Sequence, residues 1–187
     1  MTLDRQRLVE GFACLIAFGA CIPAANWMIG NLGTFCMPNG PCLIPVAPGI
    51  TAPSGVLMVG LALVLRDLVQ RRLGAKFALI AIGVGTVISA AIAPPALVIA
   101  SAAAFLLSEL ADFAIYTPLQ RRRLVLAVFA SSATGLVVDS IVFLWLAFGS
   151  LDYLGGQIIG KAWMVLLALP LIHLLRRRDE RIGLQPA

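Results

Sequence analysis

The sequence predicts an all-α integral membrane protein of six transmembrane helices, with both termini on the cytoplasmic side. Three observations carry that expectation. Of the 187 residues, 60% are hydrophobic and only 12% charged, with mean hydropathy +0.98, about half the charged fraction of a soluble domain. Several apolar runs approach or exceed the ~20 residues that a spanning helix needs. Of 14 Lys and Arg residues, 13 fall in four clusters: Arg5 with Arg7; Arg66, Arg71, Arg72 and Lys76; Arg121 to Arg123; and Arg176 to Arg178 with Arg181. The connections 31–50, 93–96 and 149–156 hold no Lys or Arg. Basic loops on alternate sides follow the positive-inside rule, which puts the clusters in the cytoplasm. The net charge of +5 therefore reports topology and attraction to anionic membrane lipids. Nothing interleaves aromatic residues with it as a single-strand binder requires, so no nucleic-acid partner is expected.

The spans follow in order as one domain over residues 1–187. The first, 8–29, is longer than the ~7–15-residue apolar core of a cleaved signal peptide, so it is expected to stay as a span. The second, 51–68, returns to the basic loop. The third, 75–93, ends at Pro94 and Pro95, which cannot continue a helix. The fourth, 96–116, is stopped by Pro118, and 124–148 and 157–175 complete the set. Connection 31–53 holds Pro38, Pro41, Pro45, Pro48 and Pro53, yet LIPVAPGI within it is apolar. A long, uncharged, apolar loop is expected to fold back on the bundle's outer mouth, the alternative being an unstructured connector. Cys36 and Cys42, in CMPNGPC, face an oxidising exterior where a disulfide can close a small turn. Cys14 and Cys21 share one face of span one and read as small buried hydrophobes. The single His173 has no partners for a metal site or a triad, no phosphate-binding loop occurs, and no cofactor is expected.

The chemistry concentrates in Ser101 to Tyr116, SAAAFLLSELADFAIY. Glu109 and Asp112 are three residues apart, on one helical face, with Ser108 beside Glu109 and Ser101 two turns away. A carboxylate near the middle of a membrane helix costs on the order of 2.5–3.5 kcal/mol on insertion scales and by default marks a bundle interior or wet cavity. The competing reading leaves both acids as solvated residues at the cytoplasmic rim. Lys161 is the one basic residue outside the clusters. Alone it could snorkel to the interface, but Asp139 in the neighbouring span offers it a partner. At 1.5 Å per residue, Lys161 lies roughly 6 Å and Asp139 roughly 13 Å below their outer helix ends, a difference a Lys side chain bridges. Asn26 and Ser101 fall in the same outer half; Glu109 and Asp112 form an inner layer near Arg66 and Asp67, which would gate it. Phe105, four residues after Ser101, and Phe143, four after Asp139, supply covering surfaces. Such a cavity suits a small polar solute, with or without proton coupling. Interhelical hydrogen bonds alone, at about 0.6 kcal/mol each, poorly repay the insertion of charges.

These residues carry a resemblance. SGVLMVGLALVLRDLVQRRLG, ASAAAFLLSELADFAIY, GLVVDSIVFLWLAFG and a Lys in the last span, together reaching from Asn26 to about Pro170, resemble the vitamin uptake transporter (VUT) family, better described as queuosine-precursor transporters. The resemblance implies a six-helix importer of the prokaryotic inner membrane, not an enzyme, laid out like the substrate-binding subunits of energy-coupling-factor transporters. It implies a nucleobase-like cargo such as 7-cyano-7-deazaguanine or its aminomethyl relative. The matching positions are Asn26, Asp67, Glu109, Asp112, Asp139 and Lys161. SSATGLVVD departs from the pattern, lacking the amide that members often carry before the aspartate. Two other functions compete: a binding subunit docked on a separate energising module, to which the small residues Ala13/Ala17 and Ala20/Ala24 would permit close packing, and a membrane thiol oxidoreductase built on Cys36 and Cys42. The second needs accessible cysteine relays that the pair within span one does not supply. Membrane lipids, a homo-oligomer or an energising module are the expected partners.

Overall fold

The computed structural model describes residues 3–37 and 41–184; Pro38, Asn39 and Gly40 at the tip of the outer connection lie outside the described residues. The elements in order are α1 (Leu3–Asn31), β1 (Phe35–Cys36), β2 (Cys42–Ala47), β3 (Ile50–Pro53), α2 (Val56–Leu73), α3 (Ala75–Ile92), a single 3-10 turn (Pro95–Leu97), α4 (Val98–Leu119), α5 (Leu124–Phe148) and α6 (Leu154–Ile182). Five helices are long and apolar enough to cross a membrane: α1, α3, α4, α5 and α6. This is a multi-pass membrane protein.

The remaining helix, α2, sits at the centre and touches each of the other five. Twelve of its 18 residues are buried, against five of 18 in α3. Its inner half carries Arg66, Asp67, Gln70, Arg71 and Arg72, all buried, so its composition falls short of a lipid-facing span because its neighbours sheath it. It still crosses the bundle: Phe12 near the start of α1 and Phe77 at the start of α3 meet edge to face at 6.4 Å, so α2 returns the chain to the side where α1 began. Its 18 residues reach about 27 Å at 1.5 Å each. The lipid-exposed faces of the outer helices are apolar, with Ile16, Val87, Ile99 and Leu167 the most exposed large side chains. Between helices in hydrocarbon, association comes from close packing and polar bonds rather than from the hydrophobic effect. Leu63, Val64 and Leu68 of α2 accordingly interlock with Tyr116, Leu136, Val165 and Ile172, while Ala62 meets Phe18, Cys21 and Ala81 on the other side.

Helix boundaries differ from the expectation at several ends, span two running on past residue 68 to Leu73 among them. Span two begins at Val56, not residue 51, because Thr51, Ala52 and Pro53 pair with β2. Helix α4 runs through Pro118 to Leu119; a proline in the last turn forfeits one hydrogen bond but need not end the helix at once. Helices α1 and α6 extend beyond the expected spans, to Leu3 and Ile182. The extension serves a purpose beyond topology. Asp179 of α6 accepts from Arg71 and from Arg72, and Glu10 of α1 pairs with Arg72 at 2.9 Å and Arg178 at 2.8 Å. Helices α2 and α3 are joined by Gly74 alone, at φ +93°, a backbone region that a side chain disfavours.

The outer connection is a three-stranded antiparallel sheet in the order β1-β2-β3, registered through Phe35 with Leu43 and Ile44 with Ala52. It adds a small β element to an otherwise helical fold. Cys36 and Cys42 are disulfide-bonded across the β1–β2 turn. The sheet folds back on the bundle as expected: Trp163 Nε1 donates to the Val46 carbonyl at 2.8 Å, Ser54 Oγ to the Met28 carbonyl at 2.7 Å, and Val46, Ala52 and Val56 pack with Ile159.

Candidate functional site

Beneath the sheet, all six helices contribute to a half-open cavity, α3 through Ser89. Asn26, Ser101, Phe105, Glu109, Asp139, Phe143 and Lys161, all singled out in the sequence, line it. Its lining has the make-up of a small-molecule site, apolar walls with a few placed polar groups. Phe105 is held by Phe18 (centroids 6.0 Å) and Phe143 by Phe148 (6.1 Å, edge to face). Asn26 Nδ2 donates to the Ile22 carbonyl of its own helix at 3.0 Å.

Lys161 approaches α2 closely because position 60 is glycine: a Cβ there would collide with the Lys161 backbone carbonyl. The Lys161 ammonium donates to Asp139 Oδ2 at 2.5 Å, Ser140 Oγ at 2.7 Å and Gln157 Oε1 at 2.6 Å. Those are its full complement of donors. The side chain of Lys161 is 1% exposed and that of Asp139 13%, so the carboxylate meets the cavity and the ammonium stands behind it. Lys161 thus does not snorkel, and all its ammonium hydrogens are taken.

The inner layer lies below. Arg66 Nε donates to Glu109 Oε2 at 3.1 Å, Nη1 to Gln70 Oε1 at 2.9 Å, and Nη2 to Asp112 Oδ1. Asp67 Oδ1 is 3.0 Å from Nη2, and Asp67 Oδ2 accepts from Ser131 Oγ at 2.9 Å. Arg66, Asp67 and Asp112 are wholly buried and Glu109 is 2% exposed, so the acids are not solvated rim residues. Arg66 also lies over the Tyr116 and Phe113 rings, 5.7 and 5.9 Å from their centroids. Glu109 belongs to both layers, lining the cavity and holding Arg66. Asp112, Arg66 and Asp67 do not line it.

Gln157, Ser140, Gln70 and Ser131 escaped the sequence reading as site residues. Gln157 had a readable signal, lying four residues before Lys161 on the same helical face. The others are small or amide side chains beside charges, a pattern too common to single out. Gln157 also brings into the cavity, from α6, the amide that SSATGLVVD lacks on α5. Cys21 lines the cavity and Cys14 is half-buried against the central core. His173 is exposed on α6.

A bundle of apolar helices around a half-open, mainly apolar cavity with a few placed polar groups has the form of a small-molecule site within a membrane protein. Residues 89–175, from the last turns of α3 into the inner half of α6, match the family model described as "Putative vitamin uptake transporter". The family is one of transporters, and the matched stretch holds Glu109, Asp112, Asp139 and Lys161. The resemblance over 26–88, including Asn26 and Asp67, lies outside it. No curated protein matches the chain. No solved structure matches it either.

Proposed function

We propose that the protein imports a planar, purine-like queuosine precursor, 7-cyano-7-deazaguanine or a related deazaguanine, across the prokaryotic inner membrane. The observation that carries this reading is the cavity's polarity: a carboxylate, an amide and a second acid in reach of two aromatic rings, in a chain matching an uptake family. A deazaguanine presents an amine, ring N–H groups and a carbonyl along its edges. Asp139 accepts from the amine and ring N–H. Gln157 gives its Oε1 to Lys161, which leaves Nε2 as the donor for the carbonyl. Asn26 orients the opposite edge, and Phe105 and Phe143 cover the ring faces. Lys161 pairs with Asp139 from behind without touching the cargo.

The test uses cells that cannot make deazaguanine, supplied with 7-cyano-7-deazaguanine at a concentration too low to enter unaided. Expression should restore queuosine in tRNA, and purified protein should bind the base while ignoring adenine, whose edge lacks the carbonyl and adjacent ring N–H. Absence of both, with normal amounts of protein in the membrane, would overturn the reading.

A further inference from the structure

The Arg66 cluster is not balanced. One guanidinium stands among three acids, Asp67, Glu109 and Asp112, at a depth where each is 2% exposed or less. With all three ionised the cluster would hold two net negative charges away from water, which a protein interior strongly disfavours. The groups facing it from neighbouring helices do not remove the deficit. Arg71, on α2, gives two hydrogen bonds to Asp179. Lys161 of α6 is matched to Asp139 of α5, and Ser131 of α5 is a neutral donor. Tyr116 of α4 and Cys14 of α1 pack on the adjoining core as neutral side chains. The one charged residue of α3, Lys76, is exposed at its cytoplasmic start.

A second observation is independent of charge. Asp67 Oδ1 and Asp112 Oδ2 are both buried, and neither receives a hydrogen bond. Both carboxyls stand against the same Arg66 Nη2, Asp67 with Oδ1 at 3.0 Å and Asp112 with Oδ1 as its hydrogen-bond acceptor, which brings the two side chains together. Buried carboxyl oxygens are ordinarily satisfied, and one hydrogen carried by one acid and donated to the other supplies the missing bond. The same hydrogen removes one of the excess charges. Among the described residues no group of His, Cys, Asp and Glu is arranged to hold a metal ion, so the proton fits where a metal does not.

Glu109 connects this pair to the cavity, since it lines the cavity and stands three residues from Asp112 on the same face of α4, with both acids held to Arg66. Below, Gln70 links Arg66 to Thr117 at 2.9 Å, continuing the polar cluster. We propose that Asp67 and Asp112 together bind one proton, that it is handed to Asp112 from the Glu109 carboxyl while Arg66 keeps its charge, and that its inward movement drives uptake. The coupling rests on the import reading above; the proton site does not.

Two measurements separate them. Infrared spectra of the purified protein without cargo, at neutral pH, should show a protonated-carboxyl band that Asp112→Asn removes and Asp152→Asn, a change at an exposed acid in the outer α5–α6 connection, leaves in place. Absence of the band in the wild type would overturn the proton site, and so would its persistence in Asp112→Asn. Should Asp112→Asn not fold, Asp67→Asn serves, and the wild-type spectrum decides in either case. In proteoliposomes with the membrane potential clamped, an inward gradient of about one pH unit should raise accumulation of labelled 7-cyano-7-deazaguanine up to about tenfold, the limit for one proton per neutral cargo. Exchange of label without any effect of the pH gradient would overturn the coupling, as would dependence on a sodium gradient. No exchange at all would overturn the import reading and the coupling with it, leaving the infrared result to judge the proton site.

Discussion

Because Lys161 places its ammonium hydrogens on Asp139, Ser140 and Gln157, the consequences of changing either member of the pair can be worked out separately. Asp139→Asn leaves a buried ammonium with neutral acceptors only; Lys161→Met leaves a carboxylate facing a cavity. Stranding one partner of a buried pair typically costs ~3–5 kcal/mol. Each single variant should melt earlier in detergent and lose uptake. Asp139→Asn should suffer more, since Lys161 is the more deeply buried. The double variant should recover thermal stability over either single without recovering uptake. Wild-type uptake by both singles would make the pair structural only. The disulfide belongs to the same scale. Closing a loop as short as Cys36 to Cys42 should contribute less than the ~3 kcal/mol of a 15-residue loop, and its cysteines do not line the cavity. Replacing both with Ser should therefore lower the melting temperature modestly and leave uptake intact. Complete loss of transport at normal membrane levels would revive a redox role.

At the scale of elements, the contact between α2 and α6 rests on small residues. Gly60→Leu would drive its side chain into the Lys161 backbone; overpacking of this kind costs about 1–3 kcal/mol and would displace Lys161 from Asp139. Expression should survive at a reduced level while uptake fails. Gly83→Ala on α3, where an added Cβ meets nothing within 4 Å, should match the wild type in both assays. An unaffected Gly60→Leu would mean that α6 is free to shift outward, and the cavity is then not fixed by this contact. The cytoplasmic ends are held differently, by ions. Asp179 is the acceptor for two arginines of α2, and substituting it leaves both without their shared partner.

For the whole molecule, the segregation of 13 basic residues predicts both termini in the cytoplasm. Reporter fusions after Gly33 and after Arg178 should report opposite compartments, and the same compartment for both would sink the arrangement. The sheet β1–β3 then lies on the outer side as a cover over the cavity mouth, pinned by Trp163 and Ser54.

The sequence by itself determined the helical membrane class and the placement of helices, because hydrocarbon requires long apolar segments and basic loops resist translocation, and both constraints are written residue by residue. It also picked out Asn26, Glu109, Asp139 and Lys161, since charges and amides inside apolar runs are rare enough to stand out. Tertiary structure alone decided that α2 is the sheathed centre of the bundle, for burial of Arg66 or Gln70 depends on which helices surround them. It alone drew Phe35–Cys36, Cys42–Ala47 and Ile50–Pro53 into a sheet, because strand pairing is long-range and the prolines there read as irregular. And it alone divided the acids, giving Asp139 and Glu109 to the cavity and Asp67 and Asp112 to Arg66. Helical spacing puts side chains on a common face, but whether a face meets a cavity or a guanidinium is settled only when the helices pack.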